Sequence, residues 1–236
     1  MTILEAILAA TIAIAIVAAL RNQLIFEIQG TSLLLFQSRR PGLILYTILM
    51  LPGTIIHELS HWLVAEILQV RTGRITILPE WGDEEEGAKE QRLGSVETVN
   101  TDPIRGFLIG LAPFITGTAI LMVFATLMTR WWGTAPWWWV ALVIYGSMVI
   151  GNSMLISGAD RRNWPVMIVL LVIVYFVATR AGLQFSPAAE TNLVAILTNM
   201  IKALGLTIGV NLATIGGCFG VRKSVEHITK RKIVRR

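Results

Sequence analysis

The stretch GLILYTILMLPGTIIHELSHWLVAEILQV, residues 42–70, is apolar enough to enter a bilayer and longer than a crossing requires. About 30 Å of hydrocarbon takes roughly 20 helical residues. Yet it carries His57, Glu58 and His61 within two turns. Ionisable side chains are costly inside a membrane and are retained there for function. Their order is H-E-x-x-H, and on a helix positions four apart project from one face, one turn above another. Two imidazoles so placed can share one metal ion. Glu58, displaced around the helix, is set to hold or deprotonate a water instead of binding the ion. The plainer alternative is a pair of histidines satisfied by carbonyls or polar neighbours inside a helical bundle.

Of the 236 residues, 54% are hydrophobic and 15% charged, which places the chain among membrane proteins. The single cysteine, Cys218, excludes an internal disulfide framework and any thiolate-based metal site. Net charge is +5, but seven Lys or Arg lie between Arg222 and Arg236, directly after the last apolar run. That placement points to anionic lipid and membrane topology, not to nucleic acid. No basic residue precedes the first apolar run and no small-residue cleavage site follows it, so a retained span is expected.

Apolar runs at 3–20, 42–70, 106–129, 137–157, 164–180 and 193–216 predict about six transmembrane helices. The expected fold class is an all-α polytopic membrane protein, one integral membrane domain over residues 1–236. Six crossings put both termini on one side, and the basic tail at 222–236 assigns that side to the cytoplasm. The loops then expected on the cytoplasmic face, at 71–105 and 158–163, carry Arg71, Arg74, Lys89, Arg92, Arg105, Arg161 and Arg162. Trp131, Trp132, Trp137, Trp138 and Trp139 crowd one short turn and read as interfacial anchors. Residues 71–105 form the one sizeable hydrophilic insertion, with alternating patterns at 72–79 and 92–99 that predict a small β-hairpin-like cytoplasmic element. The acidic run between them, 80–91, reads as a solvated loop tip.

A catalytic zinc takes three protein ligands and leaves a further position open, so the histidine pair needs another donor. His227 lies in the basic tail, Glu66 is too far along the same helix to converge, and Asp102 lies in the hydrophilic loop near the third span. Asp160 ends the fourth span on the face where the second also ends, and is the expected third ligand. The alternative for Asp160 is a surface ion pair with Arg161 or Arg162, turned to the headgroups.

HELSH in a membrane helix, a hydrophilic insertion, a third helix, then Asn152 and Asp160 eight residues apart: this arrangement resembles the site-2 protease family of intramembrane zinc metalloproteases. That family follows its histidine motif with N-x-x-P-x-x-x-x-D-G. Here Leu155 stands at the proline position and Arg161 at the glycine position, as in a divergent bacterial-type member. The resemblance covers roughly residues 42–165, a three-helix core with its insertion. It implies zinc held by His57, His61 and Asp160, with Glu58 as the base and Asn152 as a polar group near the reacting carbonyl. An interhelical amide contact is the structural alternative for Asn152.

The expected activity is hydrolysis of peptide bonds in membrane-embedded or membrane-adjacent substrates. A strand of the insertion would hold the substrate extended by strand addition. Small residues in the third span, Gly106, Gly110, Ala112, Pro113 and Gly117, allow either a water path or close helix packing. Two other readings compete: a metal-binding or metal-transporting membrane protein that does not hydrolyse, and an inactive protease-like regulator. A transporter would need further ionisable groups along its spans, which are nearly bare of them.

Overall fold

A computed structural model describes residues 1–76, 95–98, 101–131, 133–155, 157, 160, 164–180 and 186–233. Six helices and one strand pair occur among the described residues: α1 (Ile3–Phe36), α2 (Arg40–Ile67), β1 (Thr72–Thr76), β2 (Ser95–Thr98), α3 (Pro103–Arg130), α4 (Trp137–Ser153), α5 (Trp164–Arg180) and α6 (Pro187–Thr229). Four of them, α1, α2, α3 and α6, are long and apolar enough to cross a membrane. Their exposed aliphatic side chains, among them Leu4, Ile12, Ile48 and Ile115, form the surface that a bilayer covers.

Local chemistry sets several helix ends. Thr2 and Glu5 cap α1 reciprocally, each side chain bonding the other's backbone N–H. Asp102 caps α3 by accepting from the backbone of Ile104 and Arg105, and it also pairs with the Arg105 side chain. Ser186 caps α6 through the backbone of Ala189. Trp131 packs on Trp139 across the α3–α4 turn, at a ring separation of 5.1 Å.

Packing fixes the direction of each helix. Gly42 of α2 lies against Ile28 and Ser32 of α1, so the chain reverses tightly between them. Tyr145 donates to the Leu49 carbonyl at 2.8 Å, and Gly53 lies against Val149 and Ser153, so α2 and α4 run parallel. Gly117 against Met154, and Phe124 against Gly146, make α3 antiparallel to α4. The main core joins Ala10, Ala13 and Val17 of α1 to Ile150 and Met154 beside α4 and to Met200, Ala203 and Leu204 of α6. A second core joins Leu24, Tyr46, Met50 and Met148, with Ile215 and Cys218 of α6 packed on it.

These contacts correct the topology expected from the sequence. Early residues of α1 meet early residues of α6, and later ones meet later ones, ending with Glu27 bonded to Arg222. The two helices are therefore parallel, whereas six crossings with both termini on the cytoplasmic side require them antiparallel. The basic segment from Arg222 onward therefore lies at the end of the bundle where α1 ends, not where it begins.

The apolar run at 3–20 also understates α1, which continues 34 residues to Phe36 and buries Glu27. The first part of the basic tail continues α6, which stays helical to Thr229. Arg222 is buried, donating to Glu27 and, at 2.6 Å, to Glu226, with its guanidinium over Phe219 and Phe26. Lys223 reaches the other Glu226 oxygen at 2.9 Å, and Gln23 reaches Glu27 at 2.8 Å. Each charge is matched, as burial demands.

The insertion begins as expected: β1 pairs antiparallel with β2, Thr72 opposite Thr98 and Thr76 opposite Ser95, with an irregularity between Thr72 and Ile75. The remainder of the expected strands, the acidic run 80–91, Arg161 and Arg162 lie outside the described residues.

Candidate metal centre

His57 and His61 lie on one face of α2, their rings 4.8 Å apart and nearly perpendicular. The two Nε2 atoms stand 3.2 Å from each other. Asp160 completes the group: its Oδ1 is 3.2 Å from His61 Nε2 and its Oδ2 is 3.8 Å from His57 Nε2. Nitrogen and oxygen donors about 2.0–2.2 Å from a tetrahedral zinc are roughly 3.3–3.5 Å from one another, close to these separations. One ligand atom from each residue lies within 4.8 Å of the others, a grouping able to hold a metal ion.

The orientation of both rings follows from backbone chemistry. Pro113 has no N–H, so the carbonyl of Ile109, four residues earlier in α3, loses its helical donor. His61 Nδ1 donates to that carbonyl at 2.8 Å. Ser153 is the last residue of α4, where carbonyls have no intrahelical partner. His57 Nδ1 donates to the Ser153 carbonyl at 2.7 Å. A carbonyl only accepts, so Nδ1 carries the proton in each ring and Nε2 is the nitrogen turned toward Asp160. Two nitrogen lone pairs and a carboxylate then converge on one point, which a cation satisfies. Outer hydrogen bonds of this kind commonly fix the tautomer of metal-binding histidines.

Asp160 is held from the opposite side. Its Oδ2 accepts from the Ser157 backbone at 2.8 Å, and its own N–H donates to Ser157 Oγ at 3.3 Å. Burial opposes ionisation of the carboxyl, and the hydrogen bond from the Ser157 backbone favours the carboxylate. The side chain is 11% exposed and faces the imidazoles, not the headgroups. Gly110 of α3 makes that approach possible, because a Cβ there would run into the Asp160 carbonyl. Gly110→Ala is therefore expected to displace the Asp160 loop and weaken metal binding by tenfold or more, the scale on which loss of outer-shell support acts. Competition titration against a zinc-chelating dye measures it; unchanged affinity would mean that the loop tolerates the displacement.

Glu58 is 4% exposed and sits in the same turn of α2 as the two histidines. Asn152 makes the interhelical contact that was the structural alternative to a place near the reacting carbonyl. It is 1% exposed and exchanges hydrogen bonds with Asn211 of α6, Nδ2 to Oδ1 at 2.8 Å and in return at 3.1 Å. Its other amide hydrogen goes to the Met148 carbonyl at 2.7 Å. No donor is left for a reacting oxygen, so Asn152 is an interhelical clasp between α4 and α6. Leu155, at the family's proline position, is packed in the main core.

The other donors weighed as ligands are engaged elsewhere: Asp102 caps α3, and Glu66 accepts from Thr72 at 3.2 Å. His227 lies in the last turn of α6, at the end that joins Glu27. Sequence reading missed Ile109, Ser153, Ser157 and Asn211. Only the first had a local signal, a proline four residues downstream. Comparison with protein-family models, with curated proteins and with solved structures returned no match for this chain.

Proposed function

We propose that this chain is an intramembrane zinc metalloendopeptidase, hydrolysing peptide bonds in membrane-embedded or membrane-adjacent segments. The observation that carries the reading is the convergence of His57, His61 and Asp160 beside a buried Glu58. His57, His61 and Asp160 would hold zinc. When bound, the ion supplies Lewis acidity toward a carbonyl and makes a water ionisable near neutral pH. Glu58 takes the proton of the attacking water and passes it to the leaving amine. His57 and His61 stay oriented throughout by the Ser153 and Ile109 carbonyls. Asn152 contributes by holding α6 against α4.

The substrate is a chain that unwinds locally, since a helix hides its peptide bonds. Each strand of the β1–β2 pair keeps one edge unpaired among the described residues, next to the end of α2. Such an edge receives an extended segment by strand addition, supplying backbone hydrogen bonds that lipid cannot.

Metal transport without hydrolysis is the weaker reading. The buried charges away from the site, Glu27, Arg222 and Glu226, neutralise one another at the far end of the bundle and do not continue a path from His57. Purified protein is expected to carry one zinc per chain and to cleave a peptide spanning a lipid vesicle, with cleavage abolished by a chelator and restored by zinc. Bound zinc without cleavage of any membrane peptide would favour the metal-binding reading, and cleavage that persists in metal-free protein would end the proposal.

A further inference from the structure

Helix directions decide on which face of the membrane each end of α5 lies. The metal centre is at one face, shared by the end of α2, the start of α3 and the end of α4: His61 meets Ile109, and His57 meets Ser153. Trp164, the first residue of α5, packs on Phe107 of α3 at 5.6 Å, so α5 begins at that face. The next helix begins there too. Met200 and Leu204, 13 and 17 residues after Pro187, share a core with Met154 and Leu155, so the first turns of α6 extend past that level on the metal-centre side, while its far end reaches Glu27, and Ile233 reaches Gly30 before the α1–α2 turn.

Both flanks of α5 therefore belong to one face. Its 17 residues are about 25 Å long. The seven Cα steps from Arg180 to Pro187 extend at most about 25 Å. A perpendicular crossing by α5 would have to be undone by fully stretched chain, with its backbone N–H and C=O groups unpaired in hydrocarbon, which bilayers do not tolerate. At the same time α5 is apolar on every side: Met167 is buried, whereas Val166, Ile168, Val169, Ile173 and Val174 are exposed. That surface matches acyl chains and not water.

We infer that α5 is an intramembrane helix confined to the leaflet on the metal-centre side, its surface covered by lipid acyl chains. The chain then crosses the bilayer five times, through α1, α2, α3 and α6 and through α4, which runs back along α3 from the Trp131–Trp139 turn to the level of the metal centre, and the start of α1 and the end of α6 face opposite sides. The inference rests on packing directions and is independent of zinc or proteolysis.

The test uses full-length protein with Cys218→Ala and single exposed cysteines introduced as Arg71→Cys, Thr134→Cys, Arg180→Cys or Arg231→Cys. Each is treated in sealed vesicles with a membrane-impermeant maleimide, before and after permeabilisation. Arg71→Cys and Arg180→Cys are expected to label from one side, Thr134→Cys and Arg231→Cys from the other. Labelling of Arg231→Cys together with Arg71→Cys, or of Arg180→Cys together with Thr134→Cys, overturns the inference. Where a variant is not recovered, epitope tags at residues 1 and 236 of the unaltered chain report the same two sides. A nitroxide on Val169→Cys is expected to be relaxed by oxygen and not by a water-soluble nickel complex. Relaxation by nickel, or disulfide crosslinking between copies through that position, overturns the lipid assignment.

Discussion

Glu58→Gln is expected to leave one zinc per chain in place while lowering the rate of peptide cleavage by about 10²- to 10⁴-fold, the usual contribution of a general base. The substitution conserves volume and hydrogen-bonding shape, and Glu58 is buried in α2 between two residues whose rings are fixed from other helices. The histidines and Asp160 therefore have no reason to move. What is removed is the capacity to accept a proton. Single-turnover cleavage measured beside metal content separates the two effects. Equal loss of zinc and activity would make Glu58 a structural or ligating group, and full activity would remove it from the mechanism.

Asp160→Ala is expected to lose zinc outright on gel filtration, with affinity reduced by more than about a hundredfold, the upper end of what even an outer-shell partner contributes. Three ligands become two, and the Nε2 atoms, 3.2 Å apart, lose the negative charge that balances a cation between them. Thermal stabilisation by added zinc should vanish in the same variant, because that stabilisation is binding free energy. Asp102→Asn is the matched control. Asp102 caps α3 and pairs with Arg105, and asparagine caps a helix as well as aspartate does, so zinc content should not change. If Asp160→Ala kept its zinc and Asp102→Asn lost it, the third ligand would have been assigned to the wrong carboxylate.

Much of the candidate site was legible because it is local. His57 and His61 share a helix face by the 3.6-residue period alone, and Glu58 follows from its neighbours in the chain. Membrane class followed from composition, and the alternation after Val70 foretold β1. Asp160 was reached by elimination and by the resemblance, and its inward turn depended on contacts that no periodicity encodes: Ser157 behind it and Gly110 beneath its carbonyl. Asn152 was left between two readings for the complementary reason. Its spacing to Asp160 fitted a motif, but the amide's partner, Asn211, lies 59 positions away on a helix with no such motif.

By itself the sequence determined what depends on neighbours a few residues apart: the apolar helices, the paired imidazoles and the alternation that becomes β1. Only the tertiary structure decided which helices run parallel, that Glu27 and Arg222 neutralise each other 195 residues apart, and that Asp160 meets the histidines. The physical reason is that hydropathy records whether a segment enters the membrane. Its direction, and the partner each buried polar group finds, are set by packing between distant segments, where an unmatched charge or an added Cβ selects against the alternatives.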